Sequence, residues 1–205
     1  MIKIKPIALV ALVMSTVLFG AWKMNYSGIE VGDVPPMMQV KMTDVSGESY
    51  SLRELNQDNG LLVIFSCNTC PFVLQWEDRY NELYDLCEEN NIGMVLINSN
   101  EAKREGEDSI EKMKEKAKKE GYKMPYVVDK DHKVADAFEA RTTPHVFFFN
   151  RDFKLAYRGL IDDNGEDKNA VSNAYLKDAI LASIAGDVPN PAETKSIGCS
   201  IKRVK

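Results

Sequence analysis

Residues 60–66 read Gly-Leu-Leu-Val-Ile-Phe-Ser, a nearly unbroken apolar run between a glycine and a polar residue. A run this short, without alternation, predicts a strand covered on both faces of its sheet. Two more runs, 92–99 (IGMVLINS) and 124–129 (MPYVVD), predict further strands of the same kind. Between the first two the period changes. From Thr69 to about Asn90, Phe72, Trp76, Tyr80, Leu83, Tyr84 and Cys87 recur at steps of three and four, the apolar stripe of a helix. Residues 108–121 predict a charged surface helix, with Asp108 and Glu111 in capping-box spacing and Gly121 at its end. A short helix is expected over 131–140, and a strand pair over 144–150 and 154–160, joined through Asn150-Arg151-Asp152. A last helix is expected over 170–186, with Val171, Ala174, Tyr175, Leu181 and Ile184 turned inward. Upstream, residues 37–52 read as two short strands around a turn at 45–48. Strands alternating with helices imply an α/β fold, a central mixed sheet flanked by helices on both faces.

The first residues break this pattern. Lys3 and Lys5 precede an uncharged apolar run from Pro6 to Trp22, a basic region ahead of a membrane-inserting segment. That run is at the lower edge of what spans a bilayer. It reads as an export signal, either cleaved or kept as a membrane tether through residues 6–22. The expected division is signal peptide or membrane anchor 1–24, linker 25–37, folded domain 38–188 and C-terminal tail 189–205. The domain is then expected outside the cytoplasm, periplasmic or anchored facing outward. A formal net charge of -5 gives no footing for nucleic acid. The lysine-rich segment 112–119 alternates with glutamate, as a solvated helix face does.

Four cysteines carry the candidate chemistry: Cys67, Cys70, Cys87 and Cys199. An exported chain can keep disulfides. Cys67 and Cys70 nevertheless make a poor staple, because so small a loop constrains the unfolded chain little. They stand at the junction of a buried strand and a helix, where the macrodipole and free N–H groups favour a thiolate. On that placement Cys67 is expected to be the exposed attacking sulfur and Cys70 the less accessible resolving one. Pro71 suits the first turn of the helix. A zinc site would need two more ligands, and neither a second C-x-x-C nor an H-x3-5-H motif is present. Downstream, Arg141-Thr-Thr-Pro-His145 puts Pro144 at a strand entry.

The segments FSCNTCPFV and RTTPHVFFF, with this order of strands and helices, resemble the thioredoxin-like superfamily. The chain is more narrowly similar to its peroxiredoxin-like redoxin branch. That similarity rests on CNTCPFV, on residues 97–138, on YRGLIDDN and on the closing SIGCSIK. The resemblance implies a thioredoxin-like fold, a redox-active Cys67–Cys70 pair and a cis Pro144 facing it. Thr143 and Pro144 would then form the edge on which a protein disulfide or dithiol docks. No cofactor is implied, only protein substrates and a redox donor. The chain departs from thioredoxin in having Asn68-Thr69 between its cysteines. It also has Leu61 where thioredoxin has a buried acid, so any proton relay must differ. Ile64 and Gly60 stand where typical peroxiredoxins have threonine and proline.

Cys87, on the apolar helix face, is expected in the core. Cys199 stays open between a further redox cysteine, a partner for Cys87 and a free thiol. Exported thiol-disulfide oxidoreductase is the leading reading. Two alternatives are carried: a thiol peroxidase with Cys67 as peroxidatic cysteine, and a copper-binding assembly factor using Cys67, Cys70 and His145.

Overall fold

The computed structural model describes residues 28–205. The signal or anchor segment, and the start of the expected linker, lie outside the described residues. Among the described residues no helix is long and apolar enough to cross a membrane.

A seven-stranded mixed sheet forms the centre, in the order β2-β1-β5-β4-β3-β7-β8. Inside it β3 (Leu61–Ser66) runs parallel to β4 (Gly93–Asn98) and antiparallel to β7 (His145–Phe149). Beyond β4 lie β5 (Tyr126–Val128), β1 (Met42–Asp44) and β2 (Ser49–Tyr50); beyond β7 lies β8 (Leu155–Gly159). Every residue of β3 and β4 is buried, as their unalternating sequence requires. Leu62 and Ile64 enter one core layer with Trp76, Tyr80, Leu83 and Cys87. Leu61, Val63 and Phe65 enter the other, with Phe138, Phe147 and Phe149. Entry into β3 needs Gly60: its φ is +124°, and a Cβ there would lie 1.9 Å from the Phe149 carbonyl oxygen.

The helical stretch after Cys70 is divided. Helix α2 (Pro71–Trp76) meets α3 (Tyr80–Glu89) through a tight turn at Glu77–Arg79. Trp76 and Arg79 both reach into the loop after β8. Trp76 Nε1 donates to Asp162 Oδ1 at 2.7 Å and Arg79 Nε to Asp162 Oδ2 at 3.2 Å. This buried ion pair clamps α2 against the YRGLIDDN segment.

Three local expectations need correction. Helix α4 (Ile110–Glu120) is capped by Ser109, whose side chain accepts from Lys112 N–H, and not by Asp108. Asp108 is drawn instead into a buried polar cluster. Helix α6 (Tyr175–Ala185) starts later than expected and buries Leu176, Ala179 and Ile180, leaving Leu181 and Ile184 exposed. The inward face shifts with the true helix start. Part of the expected linker is packed: Gly32 N–H donates to Leu155 O and Leu155 N–H to Asp33 O, both at 2.8 Å, and Ile29 is buried. These bonds occupy backbone groups along the outer strand β8, which would otherwise present a free edge.

The last residues, without periodicity of their own, also return to the fold. Arg158 N–H donates to Ala192 O and Thr194 N–H to Arg158 O, at 3.1 and 3.0 Å. Further on, β9 (Cys199–Ser200) pairs antiparallel with β6 (Thr142–Thr143) as a separate two-stranded sheet, and Ile201 is buried.

Candidate active site

Cys67 leaves the end of β3, and Cys70 is the N-cap of α2, with Pro71 as its first residue. The helix starts there because Pro71 has no N–H to lose and a φ suited to the first turn. Opposite stands Thr143, at the end of β6, joined to Pro144 by a cis peptide. Thr143 touches both sulfurs. Its Oγ1 lies 3.3 Å from Cys67 Sγ, and its carbonyl accepts from the Cys70 thiol at 3.1 Å. Thr143, Pro144, Cys67 and Cys70, far apart in sequence, thus form one site.

The sulfurs do not divide as the sequence suggested. Neither is exposed, with 3% of Cys67 and 5% of Cys70 accessible. The helix N–H groups open at Cys70, three residues beyond Cys67. Cys70 is drawn down, chiefly by its neighbour Cys67. Burial opposes this, while Cys199 and Val73, packed beside it, assist. Cys67 is pushed up by that same contact with Cys70 and by burial, with the Asp108 carboxylate adding to it. The Thr143 hydroxyl pulls the other way. Cys70 is thus the sulfur favoured to ionise, and on ionising it gives up the proton it donates to the Thr143 carbonyl.

Asp108 is the site residue that motif reading missed. It is buried and accepts from Asn68 N–H at 2.8 Å, Asn98 Nδ2 at 2.8 Å and Asn100 Nδ2 at 2.9 Å. Tyr126 OH donates to Asn68 Oδ1 at 3.0 Å. The loop between the cysteines is thereby fixed by a carboxylate arriving from the start of α4. No acid stands at Leu61, and the carboxylate that raises the Cys67 thiol comes from another element. A signal was present: Asn98-Ser-Asn100 puts three polar residues at the end of a buried strand.

Cys199 packs against Cys67, Cys70 and Val73, beside Phe72. It is the least buried of the three sulfurs. With Thr143, Lys103, Lys202 and both Cys67 and Cys70 it lines a cleft of ≈ 220 Å³. Burial, then Cys70, push its thiol up. Cys87 is elsewhere, fully buried among Tyr80, Leu83 and Met94, with burial pushing it up to about 12. Cys199 and Cys87 thus belong to different layers, which removes their pairing. His145 lines a separate cleft with Arg141 and Arg158. Burial, with those two arginines adding, holds its imidazole down to about 4. The structure does not bring it to the sulfurs, and no group of metal-ligating side chains is found among the described residues.

The AhpC/TSA family profile matches residues 31–158. A thiol-disulfide oxidoreductase ResA from Geobacillus kaustophilus is 25% identical over 154 residues, 75% of this chain and 76% of that protein. A crystal structure of a conserved protein from the same organism superposes with a TM-score of 0.79 at 33% identity, covering 87% of this chain and 94% of the other. The solution structure of a thioredoxin-like protein in its oxidised form covers 75% of this chain and 97% of its own, at TM-score 0.59 and 20% identity, and shares the fold. With the family profile spanning most of the sheet and the site, the chain belongs to the AhpC/TSA family, as a thiol-disulfide oxidoreductase of thioredoxin-like fold.

Proposed function

We propose that the chain exchanges disulfides with protein partners outside the cytoplasm, through a Cys67–Cys70 couple. The observation that carries this is the shared contact of both sulfurs with Thr143. In the reducing direction one sulfur of the couple attacks a substrate disulfide and expels one substrate thiolate. The second sulfur then attacks the first, releases the other thiolate and leaves the Cys67–Cys70 disulfide. Two electrons leave the dithiol and one substrate disulfide becomes two thiols. The Thr143–Pro144 edge would hold the extended segment that carries the substrate sulfur. Residues 6–22 would act as export signal or tether, and the ResA relative supports the redox role. Ile64 and Gly60 before the cysteines give a peroxidase reading no support.

The test is an equilibrium redox titration with alkylated masses mapped by residue. A Cys67–Cys70 disulfide with a potential near −270 mV, to order of magnitude, makes the couple a reductant; one about −120 mV makes it an oxidant. If those two cysteines do not pair, and peroxide instead leaves a sulfenic acid on Cys67, the proposal fails in favour of peroxidase chemistry.

A further inference from the structure

We infer that Cys199 is a third redox cysteine: it takes the disulfide from the Cys67–Cys70 couple as a Cys70–Cys199 bond and presents it to an external dithiol. The inference rests on the proposed role of that couple. Three observations carry it. First, β9 pairs with β6 in a register that sets Cys199 opposite Thr143, the residue touching both site sulfurs. A cysteine is thus carried on the edge where a substrate strand would pair, as an internal substrate. Second, Cys199 packs against Cys67 and Cys70 and lines the same cleft as both sulfurs. Third, the placement is built in. A Cβ on Gly198 would lie 2.3 Å from the Thr143 carbonyl oxygen, so only glycine lets the strand approach this closely. Lys202 N–H donates to Asn100 Oδ1 at 2.8 Å, Ala102 N–H to Lys202 O at 2.9 Å and Ile201 N–H to Arg141 O at 3.0 Å. Asn100 itself donates to Asp108, so the tail is tied to the loop between the cysteines.

The chemistry balances without a further oxidant. In the oxidised protein the Cys199 thiolate attacks Cys70 Sγ, and Cys67 leaves as thiolate and takes up the proton. One disulfide is exchanged for another. A thiolate of the external dithiol then attacks Cys199 Sγ, the most accessible of the three sulfurs, and Cys70 leaves. The second thiol of the donor releases Cys199, and the donor ends as a disulfide.

The experiment uses the Cys67→Ser protein oxidised with glutathione disulfide, then alkylated and mapped by mass spectrometry. The expected product is an intramolecular Cys70–Cys199 disulfide. A stable glutathione adduct on Cys70, with Cys199 free, overturns the inference. Adding Gly198→Ala, which leaves every sulfur in place, is expected to abolish the Cys70–Cys199 bond; its persistence would show that the strand register is irrelevant and overturn the inference too. In parallel, oxidised wild-type and Cys199→Ser proteins are reduced with dithiothreitol. The serine variant is expected to react at least about tenfold more slowly. An equal or faster rate means that the tail merely covers the couple. If Cys67 and Cys70 fail to pair in Cys199→Ser, the redox role of the couple fails, and this inference with it.

Discussion

Replacing Asp108 tests how the site is held. Its carboxylate accepts from Asn68 N–H, Asn98 Nδ2 and Asn100 Nδ2, all within 2.9 Å and all buried. Asp108→Ala removes every acceptor at once. Asn98 Nδ2 keeps Tyr126 OH at 3.0 Å, so two donors lose their partner outright. A buried donor left unpaired costs roughly 1–3 kcal/mol, which puts the variant about 2–6 kcal/mol below the native protein. Asp108→Asn should cost less, about 1–3 kcal/mol, because Oδ1 can keep the Asn68 and Asn98 bonds. Its new amide would face the Asn100 amide. Turning Asn100 over to accept would break its bond to Lys202 N–H and loosen the tail. Urea unfolding of the reduced proteins measures both numbers, the midpoint shifting with an unchanged slope. Both variants also remove a carboxylate that adds to the raised Cys67 pKa, so Cys67 alkylation should persist to lower pH. An Asp108→Ala protein within about 0.5 kcal/mol of the native one would refute the reasoning, since it would mean that the cluster pairs with water as readily as with the carboxylate.

Two further outcomes are expected. Asp162→Ala unpairs Trp76 Nε1 and one side of the buried Arg79 guanidinium; because Arg79 keeps Asp78 and two carbonyls, the loss should be about 3 kcal/mol, read as a fall of roughly 6–12 °C in Tm. His145 is held neutral down to about 4 by burial, with Arg158 and Arg141 adding, against 6.5 in the unfolded chain. The unfolded state therefore binds more protons between those values, and stability present above 6.5 should fall by about 3 kcal/mol as the pH drops through 4, a slope that His145→Phe should remove in pH-dependent urea melts.

The strands β3, β4, β5 and β7 were legible because a strand covered on both faces needs an unbroken apolar run, and each run here is bounded by polar or turn residues; β8 was legible through the turn that joins it to β7. The Cys67–Cys70 spacing and the strand-to-helix change around it made the site legible as well. Local sequence did not settle which sulfur ionises, because that depends on contacts made across the fold: Thr143, Cys199 and Asp108 arrive from three other elements. The Asp108 side chain could equally serve as a helix cap in isolation, and only the packing of β4 and the cysteine loop turned it inward. The inward face of α6 moved because its start was decided by the Asp162–Asn173 loop and not by the helix itself: Leu176 N–H donates to Ile161 O and Asp163 N–H to Asn173 O. The tail carries no period, so nothing in it alone predicts a strand. Its place on β6 is decided by long-range hydrogen bonds, by the burial of Ile201 and by the absence of a side chain on Gly198, contacts that exist only once the two ends of the domain have come together.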